Sequence, residues 1–398
     1  MQLAKPQPTL GSAWFTAVVI GCLCISAAVT IWALIERPAL NCDFRGLWSF
    51  ASFARDQPVG LIYQAAALQA FQHQIYPGFR SFFPFQYPPS FLLAIYPLAG
   101  LTYTTAQCLW TLTGLAALFG AGWIAFPAAQ RWFAILALLA APASLLNGVA
   151  GETGFFTAAI LLMGLAWLPL RPVLAGICFG LLTLKPQLGL LVGFALLARG
   201  DSKAIVAAGV CALALAVLSS ILLPPGLWLD WLRAVPVYQG QYLAAAHSIG
   251  GHADVTLAGN LSRLGLPAAA NWSVRVVAVL CGGAAVFFAF RRGPYPLAAA
   301  ALLAGSCLFS PHAAVYDSIP LTGAIVLLRP RSTWLLGLCL IVYLAPYLLL
   351  TGAAAWFLYA FPETLLFTVI IYLAMTTEAP SHIRHEPDPA AKSNPKQR

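Results

Sequence analysis

The chain has 398 residues, 61% hydrophobic and 8% charged, with a mean hydropathy of +0.82. Soluble domains carry roughly a quarter charged residues, so a water-soluble globule is excluded. The formal net charge of +9 sits mainly in short loops and the C-terminal tail, which marks it as a topology signal and excludes a nucleic-acid footprint.

Apolar stretches close to bilayer length recur from Ser12 to Met375. They predict membrane helices at roughly 12–35, 103–126, 131–147, 152–170, 172–184, 187–198, 203–223, 271–290, 295–310, 313–328, 332–351 and 354–375. The first is longer than a signal-peptide core and has no cleavage site before Glu36, so it reads as a membrane helix. No strand-like alternation suggests a barrel. The segment 87–101 either crosses or lies re-entrant after Pro88-Pro89. If it does not cross, Arg131, Arg171, Arg199, Lys203, Arg291, Arg292, Arg329 and Arg331 share one side with both termini, and that side is cytoplasmic.

The expected fold is therefore an all-α polytopic bundle of about twelve transmembrane helices over residues 1–376. Two long loops, 36–102 and 224–270, face the exterior. The first carries two amphipathic surface helices, Phe44–Arg55 and Leu61–Ile75. Residues 377–398 form a polar cytoplasmic tail with nothing to bury, expected to be disordered.

In this topology the ionisable residues Glu36, Asp43, Asp56, Glu152, Lys185, Asp230, His247, His252, Asp254, His312 and Asp317 collect at the outer face. Such groups are expensive at a membrane boundary and point to a site. Asp43 is either a general base for a substrate hydroxyl or the N-cap of the Phe44–Arg55 helix. Lys185, between two apolar segments, either pairs with an anion, a lipid phosphate or a carboxylate such as Glu152, or snorkels to the interface. His312 follows the helix-breaking Pro311, with Asp317 placed to orient it or to bind a hydroxyl. Tyr87, in Gln86-Tyr87-Pro88-Pro89, anchors a rigid turn or contacts a sugar. The chain has no CxxC pair, no DxD pair and no GxxxxGK[ST] loop, so neither a metal nor another cofactor is expected.

Five stretches recur in an order that resembles the glycosyltransferase 87 family: Asp43, Phe85–Pro89, Asn147–Gly154, Leu184–Leu191 and Ser310–Asp317. The best-known members resemble polyprenyl-phosphate-mannose-dependent α-1,2-mannosyltransferases. The resemblance implies a GT-C fold in a plasma membrane and transfer of a hexose, by default mannose. The donor would be a polyprenyl-phosphate sugar and the acceptor an outer-face glycan or glycolipid. It implies Asp43 as the catalytic base and Arg45, Tyr87, Glu152, Lys185, Gln187, His312, Tyr316 and Asp317 as substrate-binding residues. Glu152 departs from the glutamine of the family pattern. A lipid-linked sugar flippase and a non-catalytic envelope protein are the rival readings. A flippase would be expected to carry charges deep in mid-helix, whereas these gather at one face.

Overall fold

The computed structural model describes residues 17–25, 28, 42–78, 82–244, 254–262, 265–330, 332–347 and 360–377. His247, His252, much of the first predicted helix and nearly all of the tail lie outside them. The described residues form eighteen α-helices and a single antiparallel bridge, Asp254 to Ala314. In chain order the helices are α1 (17–25), α2 (Cys42–Asp56), α3 (Ala65–Ile75), α4 (Pro89–Ile95), α5 (Tyr103–Ala125) and α6 (Ala128–Ala140). Then come α7 (Pro142–Ala150), α8 (Gly154–Trp167), α9 (Pro172–Leu181), α10 (Pro186–Arg199), α11 (Ser202–Leu222) and α12 (Leu227–Ala244). The last six are α13 (Leu257–Ser262), α14 (Ala268–Arg292), α15 (Tyr295–Leu308), α16 (Ile319–Leu328), α17 (Thr333–Leu344) and α18 (Ala360–Thr376).

Proline sets many of the starts. Pro89, Pro142, Pro172 and Pro186 each open a helix, where a missing N–H costs nothing and φ is already helical. Pro142 also divides the predicted segment 131–147 into α6 and α7, which bend by 50°. By length and composition α5, α11 and α14 can each cross a membrane, and the bent pair α6–α7 makes a fourth span. The predicted crossings at 152–170, 172–184, 187–198, 295–310, 313–328, 332–351 and 354–375 hold apolar helices of 10–17 residues, and the stretch Pro89–Gly100 is another.

The bundle core is alanine-rich, and the contact of α9 with α11 uses a GxxxG face. Gly176 and Gly180 of α9 press on α11 so closely that a Cβ at Gly176 would sit 2.7 Å from Ala207 Cβ, and one at Gly180 2.5 Å from Cys211 Cβ. Small residues of this kind let membrane helices approach. Most of α11 otherwise faces outward, with Val206, Val210, Leu213 and Ile221 exposed.

The first loop builds a separate, aromatic core from α2, α3, α4 and the first turns of α5. Phe44, Phe53, Phe85, Leu47 and Ile95 are fully buried there. Each such side chain contributes about 1.5–3 kcal/mol. The expected surface helices are thus packed against each other, and the second is shorter than predicted, a 3₁₀ turn at Val59–Leu61 preceding α3.

Helix direction separates two ends. Arg199 lies over the Tyr295 ring, Arg291 donates to the Ala198 carbonyl, and Tyr295 donates to the Leu165 carbonyl. Those contacts gather the last residues of α8, α10 and α14 with the first of α15. The opposite ends of the same four helices carry Thr153, Lys185, Arg275 and Ser310. The paired arginines and the candidate site therefore occupy opposite ends of the bundle.

Candidate active site

Five segments meet at the site end. The first is the start of α2. Phe44 is fully buried and packs on Gly151, where a Cβ would come within 2.5 Å of Phe44 Cβ. Gly151 caps α7 at φ +73°, a conformation glycine adopts without strain. The bare glycine lets α2 close on the turn after α7, and this brings Asp43 to the same place as Glu152.

Glu152 is buried. Its Oε2 accepts from the Thr153 amide at 3.1 Å and from the Tyr87 hydroxyl at 3.3 Å. Its carbonyl accepts from Trp110 Nε1 at 3.3 Å. Asn147 shapes the turn, its Oδ1 accepting from the Gly154 amide at 2.8 Å. Tyr87 stacks on Phe91 at 3.9 Å, and its carbonyl accepts from Tyr63 at 2.7 Å. The polar tip of that ring, rather than its face, is what reaches the site.

Lys185 is the cation of the cluster. The Leu182–Leu184 3₁₀ turn and Pro186 set it between α9 and α10. Its Nζ donates to Asp317 Oδ1 at 2.6 Å and to Thr153 Oγ1 at 3.1 Å, with both partners of the ion pair buried. It also stands 5.5 Å from the Tyr316 ring centroid. Asp317 Oδ2 accepts from the Ala314 amide at 3.1 Å. An ammonium has three donors, and two are committed here.

One cation thus faces three carboxyls. Burial pushes Asp43 from its ordinary 3.8 to about 7, Glu152 pushes the same way, and Lys185 opposes both. Burial also raises Glu152, again opposed by Lys185. Asp43 lies inside the first turn of α2, one residue past its start, and no described residue hydrogen-bonds its carboxylate. The N-cap alternative therefore does not apply.

A second charged cluster sits beside the first. Asp254 and Arg275 are both buried, with Nη1 to Oδ2 at 3.7 Å, and His312 Nδ1 is 3.5 Å from the same Oδ2. His312 thus meets Asp254, while Asp317, expected to orient it, is taken by Lys185. Burial opposes ionisation of Asp254, but His312, Arg275 and the Thr256 amide outweigh it and hold the carboxyl below its ordinary range.

Two expected ligands lie elsewhere. Arg45 sits over the Tyr76 ring at 5.7 Å. Two residues from Asp43, it points to the other side of the helix. Gln187 contributes its carbonyl, which accepts from Ser310 Oγ at 3.3 Å and ties α10 to the turn before His312. Trp48, in the same helix as Arg45, is half-buried and donates to the Leu101 carbonyl at 3.1 Å. Two residues of the site were not predicted. Thr153 has no distinguishing signal. Arg275 has one: it is an ionisable residue within a span-length apolar helix. Among the described residues no group of His, Cys, Asp and Glu is placed to hold a metal ion.

The fold and site define a helical membrane protein with a buried carboxylate and lysine cluster at the end of the bundle away from its paired arginines. Residues 85–311 match the model of Glycosyltransferase family 87. The match covers more than half of the chain, and the chain belongs to that family. Membership implies a transferase that moves a glycosyl group from a donor to an acceptor. No curated protein and no solved structure matches the chain. The matched span contains Tyr87, Glu152, Lys185, Asp254 and Arg275, whereas Asp43 precedes it and His312, Tyr316 and Asp317 follow it.

Proposed function

We propose that this chain transfers a hexose, mannose in the first instance, from a polyprenyl-phosphate sugar to a hydroxyl of a glycan or glycolipid on the outer face of a plasma membrane. Twelve crossings with both termini in the cytoplasm would put the site there. The observation that carries the reading is Asp43, a half-buried carboxyl without a hydrogen-bond partner among the described residues and poised near neutrality beside Lys185. A general base works best when its pKa lies near the operating pH.

The reaction balances as one inverting displacement. The acceptor oxygen attacks the anomeric carbon, its proton passes to Asp43, and the bond from that carbon to the phosphate oxygen breaks. The lipid phosphate leaves with one more negative charge than the donor carried. Lys185, through its uncommitted donor, and His312 are the cations that would meet that charge. Tyr87 and Glu152 would border the sugar, with Asp317 holding Lys185 in place.

The test is transfer from radiolabelled polyprenyl-phosphate mannose in membranes that overproduce the chain, beside Asp43→Asn at the same level. Asp43→Asn is expected to lose about 10²–10⁴-fold in rate while folding normally. Equal transfer by the two would remove Asp43 from the reaction. Absence of transfer by the wild type would overturn the donor assignment.

A further inference from the structure

Asp254 and Arg275 of the second charged cluster have no part in the reaction just proposed. Arg275 lies within a span-length apolar helix, about two turns from the start of α14, and is buried with 3% of its side chain exposed. An arginine at membrane depth costs about 2.5–3.5 kcal/mol on insertion scales. Its geometry with Asp254 returns little of that. The contact of 3.7 Å from Arg275 Nη1 to Asp254 Oδ2 is longer than the roughly 2.7–2.9 Å of strong charge-assisted bonds, and buried ion pairs are weak stabilisers.

What the cluster does is fix one short turn. Arg275 Nη1 donates to the Pro311 carbonyl, and the Val255 amide donates to the Ala313 carbonyl at 3.0 Å. Ser310 Oγ accepts from the His312 amide at 3.3 Å and donates to the His312 carbonyl at 2.7 Å. The backbone on both sides of His312 is therefore clamped, and Asp254 meets its ring. Asp254 is itself seated. Its Oδ1 accepts from the Thr256 amide at 2.9 Å and the Thr256 hydroxyl at 2.8 Å. Gly259 leaves room for it, since a Cβ there would sit 2.5 Å from Oδ1. Four and five residues beyond His312 stand Tyr316 and Asp317, the neighbours of Lys185.

We propose that Asp254 and Arg275 are positioning residues that set the tautomer and orientation of His312 for the lipid-phosphate group of the donor. Asp254 accepts from Nδ1–H, so that the ring, on taking a second proton at Nε2, turns that N–H to the phosphate, and Arg275 keeps Asp254 ionised and the turn in register. This role rests on the transferase reading above, but its first test does not.

That test is the nitrogen-15 spectrum of histidine-labelled protein in lipid at about pH 9, where an ordinary imidazole is neutral. The His312 signals are assigned by their loss in His312→Gln. The wild type is expected to carry its proton on Nδ1. In Asp254→Asn the amide oxygen keeps the Thr256 bonds and the amide nitrogen faces the ring, so the proton is expected to move to Nε2. Arg275→Lys, which keeps the charge but not the fork, is expected to mix the two forms and serves if Asp254→Asn does not fold. Unchanged His312 signals in the folded variants would overturn the proposal. In transfer assays Asp254→Asn is expected to lose about 10–100-fold in kcat/KM, the range for partners that fix ligating histidines. The double variant with His312→Gln is expected to lose no more than His312→Gln alone. Losses that multiply would overturn it. A wild type without transfer would sink the function while leaving the spectrum to decide the positioning.

Discussion

The two buried charge clusters at the site end are built to different tolerances. In the first, Lys185 and Asp317 meet at 2.6 Å across 132 residues of sequence, and each carries a further hydrogen bond. In the second, Asp254 lies 3.5 Å from His312 and 3.7 Å from Arg275, and its firm bonds are to Thr256. The first is a clamp that joins the starts of α8 and α10 to the turn before α16. The second holds a ring in place from a distance. A tight pair surrounded by surplus carboxyls also tunes its neighbours, and it is beside this pair that Asp43 is pushed to about 7.

Breaking the clamp should produce the largest effect. Lys185→Met leaves Asp317 buried without its cation, a change that costs about 3–5 kcal/mol. The thermal midpoint in detergent is expected to fall sharply, and Lys185→Met with Asp317→Leu is expected to regain much of the loss. Arg275→Met should cost less, about 1–3 kcal/mol, because Asp254 keeps Thr256 and His312. If Arg275→Met proved the more damaging, the contrast between the clusters would be wrong.

The surplus charge can be tested by pH. If Asp43 must be ionised to act, transfer should rise as pH climbs through about 7 and level off above it. Glu152→Gln removes the neighbouring negative charge, so the rise should move to lower pH. An unmoved profile would mean that Glu152 does not act on Asp43. Stability should show the opposite slope. Between 3.8 and about 7 the folded chain holds the Asp43 proton and the unfolded chain has released it. Stability from this group therefore declines as pH rises through that window. Asp43→Asn should flatten that decline in thermal midpoints taken across it.

Much of this architecture was legible. Hydropathy marked α5, α8, α10 and α14 to within a few residues, because lipid demands long apolar runs and proline announces the starts. Helix α12 was missed: Asp230, Arg233 and Pro236 interrupt its apolar run and read as loop. Arg45 was assigned to the site although its spacing from Asp43 already put it on another face of α2. Asp43, Glu152, Lys185 and Asp317 were each legible as costly charges at a boundary. Their pairing was not, because nothing local says which carboxylate a lysine 132 residues away will take.

The smallest expected effect isolates the contact between the first loop and the clamp. Tyr87→Phe removes only the hydroxyl that donates to Glu152 Oε2 at 3.3 Å. The Phe91 stack remains, so the stability loss should be about 1 kcal/mol. Glu152 keeps the Thr153 amide but loses a bond that favours its ionised form. It should therefore hold its proton to higher pH and press less on Asp43. The pH rise in transfer should then shift slightly downward, in the same direction as Glu152→Gln and by less. A shift upward would show that Tyr87 reaches Asp43 by another route, and the first loop would then belong to the clamp itself.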